Sequence, residues 1–263
     1  MINKIRLLSC FLMLYLSAIA SFAIAEVKLE KQGDEVIVTV NGNPFGVYTT
    51  AAELHRPYFR EIRSADGTLL TRPISPPGGD HPHHTGVWHT VDKVNDLEFW
   101  HLEGRIENIS VELIEPQGNP AIMRVNNRWV DGEGRLVLRE QTMIRIYENR
   151  LMYYDIKFTA GEKEVTFGDT EEGFFAFRMA DSMREEESGQ VVNADGRKTA
   201  KGCWGRNSDW VSYVGEIDSK IFGAAIFDHP ENFRRGRYHV RDYGLFTISP
   251  FGEGDYTEGL LPA

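Results

Sequence analysis

Five of the eight histidines in the chain fall between His81 and His101, and three of them lie within four residues in Asp80-His81-Pro82-His83-His84. Imidazoles change charge near neutral pH and offer a ring-nitrogen lone pair. A group of them beside a carboxylate can therefore shuttle protons or hold a transition metal. In an extended segment His81 and His83 point to one side and His84 to the other, so three rings on one ion require a turn. His81 and His83 are accordingly the candidate ligands for a divalent metal, although the spacing matches none of the common zinc motifs. His83 and His84 are the candidate acid–base groups of this run, and Asp80 is a candidate substrate contact.

Two further polar clusters lie downstream. In Gly168-Asp169-Thr170-Glu171-Glu172-Gly173, Asp169 and Glu172 flank a turn that leads into an apolar strand. Arg178, six residues on, shares the face of Glu172 if the strand begins that early. A carboxylate beside a guanidinium stays ionised and can orient a substrate hydroxyl. The third cluster is Asp228-His229-Pro230-Glu231-Asn232, followed by Arg237-Tyr238-His239-Val240-Arg241. There His239 and Arg241 share one strand face, with Tyr238 and Val240 on the other. Catalytic candidates from these runs are Asp169, Glu172 and His239; substrate-binding candidates are Arg178, His229 and Arg241. Trp100, next to His101 and near Glu98, is the tryptophan expected to face a ligand, as an aromatic platform among carboxylates, histidines and arginines suits a sugar.

The elements that must position these groups read as strands. Glu35–Val40 is a β-branched run ending at the turn Asn41-Gly42-Asn43-Pro44. Ile109, Val111 and Leu113 alternate with Asn108, Ser110 and Glu112, the period of a strand with one wet face. Asp131-Gly132-Glu133-Gly134 separates 123–130 from 136–146 as a hairpin, with Leu136, Leu138, Thr142, Ile144 and Ile146 on one face of the second arm. Met152, Tyr154, Ile156 and Phe158 form another apolar stripe. Phe175, Phe177 and Met179 form one more, with Arg178 pointing the opposite way. Late strands fall at 221–227 and 245–248, and a short helical turn at 181–187. This density predicts an all-β fold, a large antiparallel sandwich in one domain over residues 26–263.

Residues 1–25 read as a signal peptide. Lys4 and Arg6 precede an apolar run, and Ala23-Ile24-Ala25 supplies the small residues of a cleavage site before Glu26. Removing Lys4 and Arg6 takes the net charge from −10 to −12. So acidic a chain does not track a phosphate backbone, which argues against nucleic acid as a partner. The apolar run is too short for a comfortable span and no other stretch approaches that length, so no membrane partner is expected after cleavage. The expected location is the periplasm or the extracellular space. Cys203, the one cysteine left, cannot form an internal disulfide and reads as a small buried hydrophobe.

The motifs Gly79-Asp80-His81-Pro82-His83-His84-Thr85-Gly86-Val87-Trp88, 168–173, 228–232 and 239–246 occur in this order. Together they resemble a family of exported bacterial proteins catalogued as "methane oxygenase PmoA", abundant in planctomycetes and other polysaccharide degraders and otherwise of unknown function. The resemblance spans roughly Asn41 to the C-terminus. A true methane monooxygenase subunit crosses the membrane several times. This chain has a single removable apolar segment, so neither methane oxidation nor a copper site is carried over. The resemblance implies genomic company with sugar oxidoreductases and glycan-degrading enzymes, hence carbohydrate. It also implies a chain that usually continues for another strand or two beyond Ala263.

The expected function is a carbohydrate-active enzyme of glycoside hydrolase, lyase or epimerase type, because each reaction needs a proton donor and an acceptor across a sugar ring. By fold-level analogy alone, sandwiches of the mutarotase kind place such groups on a concave sheet face. The alternatives are a non-catalytic glycan-binding module and a histidine-ligated, metal-dependent oxidoreductase. All of them require that the loop at His81, the turn at Glu172 and the strand at His239 meet.

Overall fold

The computed structural model describes residues 26–73 and 79–261. The expected signal peptide, loop residues 74–78 and the last two residues lie outside that range. In chain order the strands begin with β1 (Val27–Gln32), β2 (Glu35–Val40), β3 (Asn43–Thr49), β4 (Tyr58–Arg60), β5 (Val87–Val91) and β6 (Lys93–Val94). They continue with β7 (Leu97–Glu98), β8 (Arg105–Glu115), β9 (Gln117–Gly118), β10 (Ala121–Val130), β11 (Leu136–Ile146) and β12 (Met152–Ala160). Last come β13 (Gly173–Arg178), β14 (Gln190–Asn193), β15 (Trp210–Ile217), β16 (Lys220–Phe227), β17 (Arg237–Val240) and β18 (Leu245–Ser249). Two single-turn helices, α1 (Ala200–Cys203) and α2 (Glu253–Tyr256), and a 3₁₀ turn at Asp181–Met183 complete the described chain.

The fold is an all-β antiparallel sandwich. A nine-stranded sheet runs in the order β17-β18-β13-β5-β4-β3-β2-β1-β9; beside it are a four-stranded sheet β12-β11-β10-β8, a three-stranded sheet β14-β15-β16 and the small pair β6-β7. Alternation drives the assembly, since every second residue of a strand turns to the same face. Val36, Val38 and Val40 of β2 turn inward, as do Met123 and Val125 of β10 and Ile144 and Ile146 of β11. They join Phe177, Phe246, Tyr213 and Ile226 in one apolar core shared by the three larger sheets. Cys203 is buried in the same core, where burial pushes its thiol up to about 11.

The 131–134 hairpin forms as expected, pairing β10 with β11. The alternation expected for Ile109 does not. On β8 the register shifts between the pairs Asn126↔Ser110 and Asn127↔Asn108, which leaves Ile109 as the extra residue of a bulge. It is turned out to solvent, while Ile106 and Val111 on either side stay buried.

One inward position of β11 is a carboxylate. Glu140, between Leu138 and Thr142, is fully buried. It accepts hydrogen bonds from Asn127 Nδ2 (2.9 Å), Trp129 Nε1 (2.8 Å) and Thr142 Oγ1 (2.7 Å). His89 Nε2 lies 2.9 Å from Glu140 Oε1. Burial alone would raise the carboxyl pKa, yet His89, Trp129 and Thr142 hold it below the usual range. Removing one member of such a buried set strands the others.

Glu140→Ala is therefore expected to lose about 3–5 kcal/mol of stability at pH 7 in urea unfolding. A group whose folded pKa is depressed stabilises above its unfolded value and stops doing so as pH falls through the folded one. The gap between wild type and variant should thus narrow below pH 4.5. Coincident midpoints at pH 7 would show that the buried set contributes nothing.

Candidate active site

The nine-stranded sheet turns its second face toward the polar clusters, and strand register decides which residues reach it. Trp88 pairs with Ala176, Ala176 with Thr247, and Thr247 with His239 across β5, β13, β18 and β17. Paired residues share a face, so Trp88, Thr90 and Asp92 lie on the same side as Arg178, Leu245 and His239. Their neighbours Val87, Phe177, Phe246 and Tyr238 go to the core.

The His81 loop closes over this face. His81 has a left-handed backbone, φ 44°, and the amide of His84 bonds its carbonyl at 3.1 Å. The segment is thus a turn rather than extended, and the alternation expected for the three rings gives way to a stack. His81 lies on His84 with ring centres 4.7 Å apart, and His83 meets His84 edge-on at 4.5 Å. Gly86 ends the loop at φ 93°, where a Cβ would collide with the Phe59 carbonyl, so only glycine allows so close an approach to β4. Arg56 donates to the His83 carbonyl, and its guanidinium lies 5.5 Å from the Trp88 ring centre.

The loop meets the other two clusters. Tyr243 stacks on His81 at 4.7 Å, and Arg178 lies over the same Tyr243 ring at 4.7 Å. His83 meets His101 edge-on at 5.3 Å. His101 donates through Nδ1 to buried Asp92 at 2.9 Å, which leaves Nε2 with its lone pair. The side chain of His101 is 44% exposed, so that lone pair is reachable. Asp92 in turn bonds through its backbone amide to the Glu172 carbonyl at 3.1 Å, which ties the histidine cluster to the acidic turn. Most buried polar atoms without a partner among the described residues belong here, including His84 Nδ1, Thr90 Oγ1, Trp88 Nε1 and two nitrogens of Arg178. Buried polar groups are normally satisfied, so such a concentration of open donors and acceptors suits the receipt of a polar ligand.

The two adjacent glutamates behave differently. Glu171 takes Arg241 Nη2 at 3.0 Å and faces His239 Nδ1 at 3.6 Å, and these neighbours hold it below the usual carboxylate range. Glu172 receives no hydrogen bond on its carboxyl among the described residues. Burial raises its pKa more than nearby His239 and His101 lower it, with Glu171 and Asp92 adding to the rise. His83 is driven the other way. Burial, then Arg56 and His101, lower it to about 4, so it is neutral at neutral pH. Burial also lowers His84.

Several sequence expectations change. Trp100 is 1% exposed and packs with Trp88, Tyr58 and Leu245; it is the floor beneath His83 and His84 rather than a platform. His84 is buried between His81 and Trp88, which leaves it no open face for proton exchange. Asp169 accepts the Gly254 amide at 3.1 Å and so serves the start of α2. His239 is buried, and its Nε2 accepts from Arg241 Nε at 2.9 Å; it orients Arg241 and Glu171 rather than meeting substrate. His229 packs edge-on against Tyr153 of the four-stranded sheet, on a loop that Asp228 ties down through Asn232, Gly236 and Arg235. It does not join the cluster. His83, Glu172, Arg178, Arg241 and Asp80 do.

Asp92, His101, Glu171 and Tyr243 were missed. Asp92 was detectable, because it continues the Trp88–Thr90 face by the period of two. For metals, the described residues bring ligand atoms within 4.8 Å of one another in two groups, Asp92/Glu98/His101 and Glu171/Glu172/His239. Neither contains His81 or His83, the expected ligands. Two surface hollows, of about 470 Å³ beside Val191 and about 300 Å³ beside Leu54, are lined by none of the imidazoles.

Imidazole NMR tests this electrostatic picture. His83 should stay neutral until the pH approaches about 4. A midpoint at the ordinary value of 6.5 would mean that the loop is open to water and the stack does not form.

No curated protein and no solved structure matches this chain. Residues 35–261 match a family described as a family of unknown function, DUF6807, and the chain belongs to that family.

Proposed function

We propose that the protein is a carbohydrate-active enzyme, of hydrolase, lyase or epimerase type, exported from the cytoplasm and working by acid–base chemistry on a sugar. Glu172 is the general acid. His101, oriented by Asp92, is the general base, with neutral His83 beside it. The observation that carries this reading is the divergence of two adjacent carboxyls, Glu172 raised by burial and without a donor and Glu171 lowered by its partners, in one cluster with the imidazole that Asp92 orients. Titratable groups pushed apart by their surroundings are the usual mark of an acid and its base. Arg241, held between His239 and Glu171, and Tyr243 supply polar contacts for sugar oxygens. Trp88 and Trp100 are both buried, so no exposed tryptophan platform among the cluster residues favours a purely binding role.

The test is turnover of an oligosaccharide panel by the purified protein, followed by Glu172→Gln and His101→Gln on whichever glycan reacts. Each variant should lose about 10²–10⁴-fold in kcat while its thermal unfolding stays near that of wild type. An acid works only when protonated, so kcat/KM should fall as pH rises past the elevated Glu172 pKa, and Glu172→Gln should lack that limb. Full turnover by both variants would remove the assignment.

A further inference from the structure

The proposed chemistry leaves three arginines without a task. Arg72, Arg178 and Arg184 converge on one carboxylate oxygen, Asp80 Oδ2, at 3.2, 3.5 and 3.6 Å. Arg178 is 0% exposed at its side chain and Arg72 only 3%. Asp181 adds a second carboxylate, 2.6 Å from Arg184 and 3.8 Å from Arg178. Three guanidinium groups less two carboxylates leave one positive charge.

Asp80 serves these cations poorly. A carboxylate can span a guanidinium with two parallel hydrogen bonds, yet Asp80 reaches only Nη2 of Arg178. Its other oxygen turns to His81 Nδ1. Among the described residues Nε and Nη1 of Arg178 and Nε of Arg72 have no partner, although all three are buried. Burial and the two neighbouring arginines lower the Arg178 pKa to about 10, which reflects the strain of this arrangement. Asp80 itself is 49% exposed at its side chain, on the loop that also carries His81 and His83. A solvent-exposed anion covering buried, underused cations can be exchanged for a better one.

We propose that Arg72, Arg178 and Arg184 form a subsite for the carboxylate of an acidic sugar, with Asp80 its internal stand-in. The inference rests on the sugar-enzyme reading above and narrows its substrate class to uronate-containing glycans. The incoming carboxylate displaces Asp80 and takes the bidentate position on Arg178. The sugar then lies against Tyr243 and His81, which places the ring between this subsite and the Glu172–His101 pair. Tyr243 links the two, since it contacts Arg178 directly and its hydroxyl feels the charge of Glu172.

The intact protein is titrated with D-glucuronate and D-galacturonate, and with D-glucose and D-galactose as carboxyl-free counterparts, while the arginine Nε–H resonances are followed by NMR. The uronates should shift the Arg178 resonance saturably and the neutral sugars should leave it in place. Asp80→Asn removes the competing charge and should tighten uronate binding at least about threefold. Arg184→Gln, at a partly exposed position, should weaken it about tenfold, as expected for one charge-assisted hydrogen bond. The proposal fails if the uronates leave Arg178 unmoved, if the neutral sugars move it equally, or if Asp80→Asn weakens binding. It also fails in its carboxylate assignment if glucose 6-sulfate binds while the uronates do not. Turnover of a neutral glycan with no uronate response removes the subsite and leaves the acid–base reading standing. Uronate binding that persists while Glu172→Gln and His101→Gln keep full turnover does the reverse.

Discussion

The polar cluster exists because four strands hold one register. The chain of pairs from Trp88 through Ala176 and Thr247 to His239 puts Arg178 and His239 on one side of the sheet and Val87, Phe177, Phe246 and Tyr238 on the other. A slip of one residue at any of these ladders would reverse the faces of that strand. It would drive Arg178 or His239 into the apolar core and expose Phe177 or Val240. That penalty fixes the site geometry without any contribution from the site itself. The core side of these strands is continuous with three sheets, so the functional face is held by the whole molecule rather than by its own loops.

Within that frame, two buried glutamates show how surroundings divide one chemistry into two roles. Glu140 has three hydrogen-bond donors and an imidazole close by, and its carboxyl is held ionised. Glu172 has none of these donors, and its carboxyl is raised instead. The difference lies in what the opposite strands supply. β10 and β11 contribute Asn127, Trp129 and Thr142 at positions that face Glu140, whereas the turn before β13 leaves the Glu172 side chain without such a lining. A carboxylate held by three fixed donors is structural. One without a donor among the described residues, as Glu172 is, has its pKa raised by burial.

The β scaffold was readable in the sequence because alternation is a local signal. The β2 run, the 131–134 hairpin and the turn of Arg178 to the face opposite Phe177 all follow from a period of two. The bulge at Ile109 was hidden, because it arises from how β8 and β10 pair and not from either strand alone. The site was readable only in part, for the same reason. Histidines and carboxylates announce themselves by type, so the right segments stood out. Which member of each segment faces the cluster depends on tertiary detail. Thus Glu171 rather than Asp169 pairs with Arg241, since Asp169 is taken by the amide of Gly254. Trp100 looked like a platform from its polar neighbours in sequence, but its neighbours in space are Trp88, Leu245 and Ala176.

The same detail bears on the metal reading. Arginine always donates, so the bond from Arg241 Nε makes His239 Nε2 an acceptor. The proton of neutral His239 is then on Nδ1, the atom that faces Glu171, and a protonated nitrogen cannot ligate. In the other candidate group, His101 Nδ1 is committed to Asp92 while Nε2 stays open. Arg56, Arg72, Arg178, Arg184 and Arg241 add five positive charges around these rings, against the carboxylates of Asp80, Asp92, Glu98, Glu171 and Asp181 and the raised carboxyl of Glu172. A divalent cation entering the Glu171–His239 group would have to displace the Nδ1 proton and the Arg241 bond together. At the Arg72–Arg178–Arg184 end, where the surplus is positive, negative charge is the sign that the surroundings accept, whether it arrives on a substrate or develops on a sugar oxygen as a bond is broken.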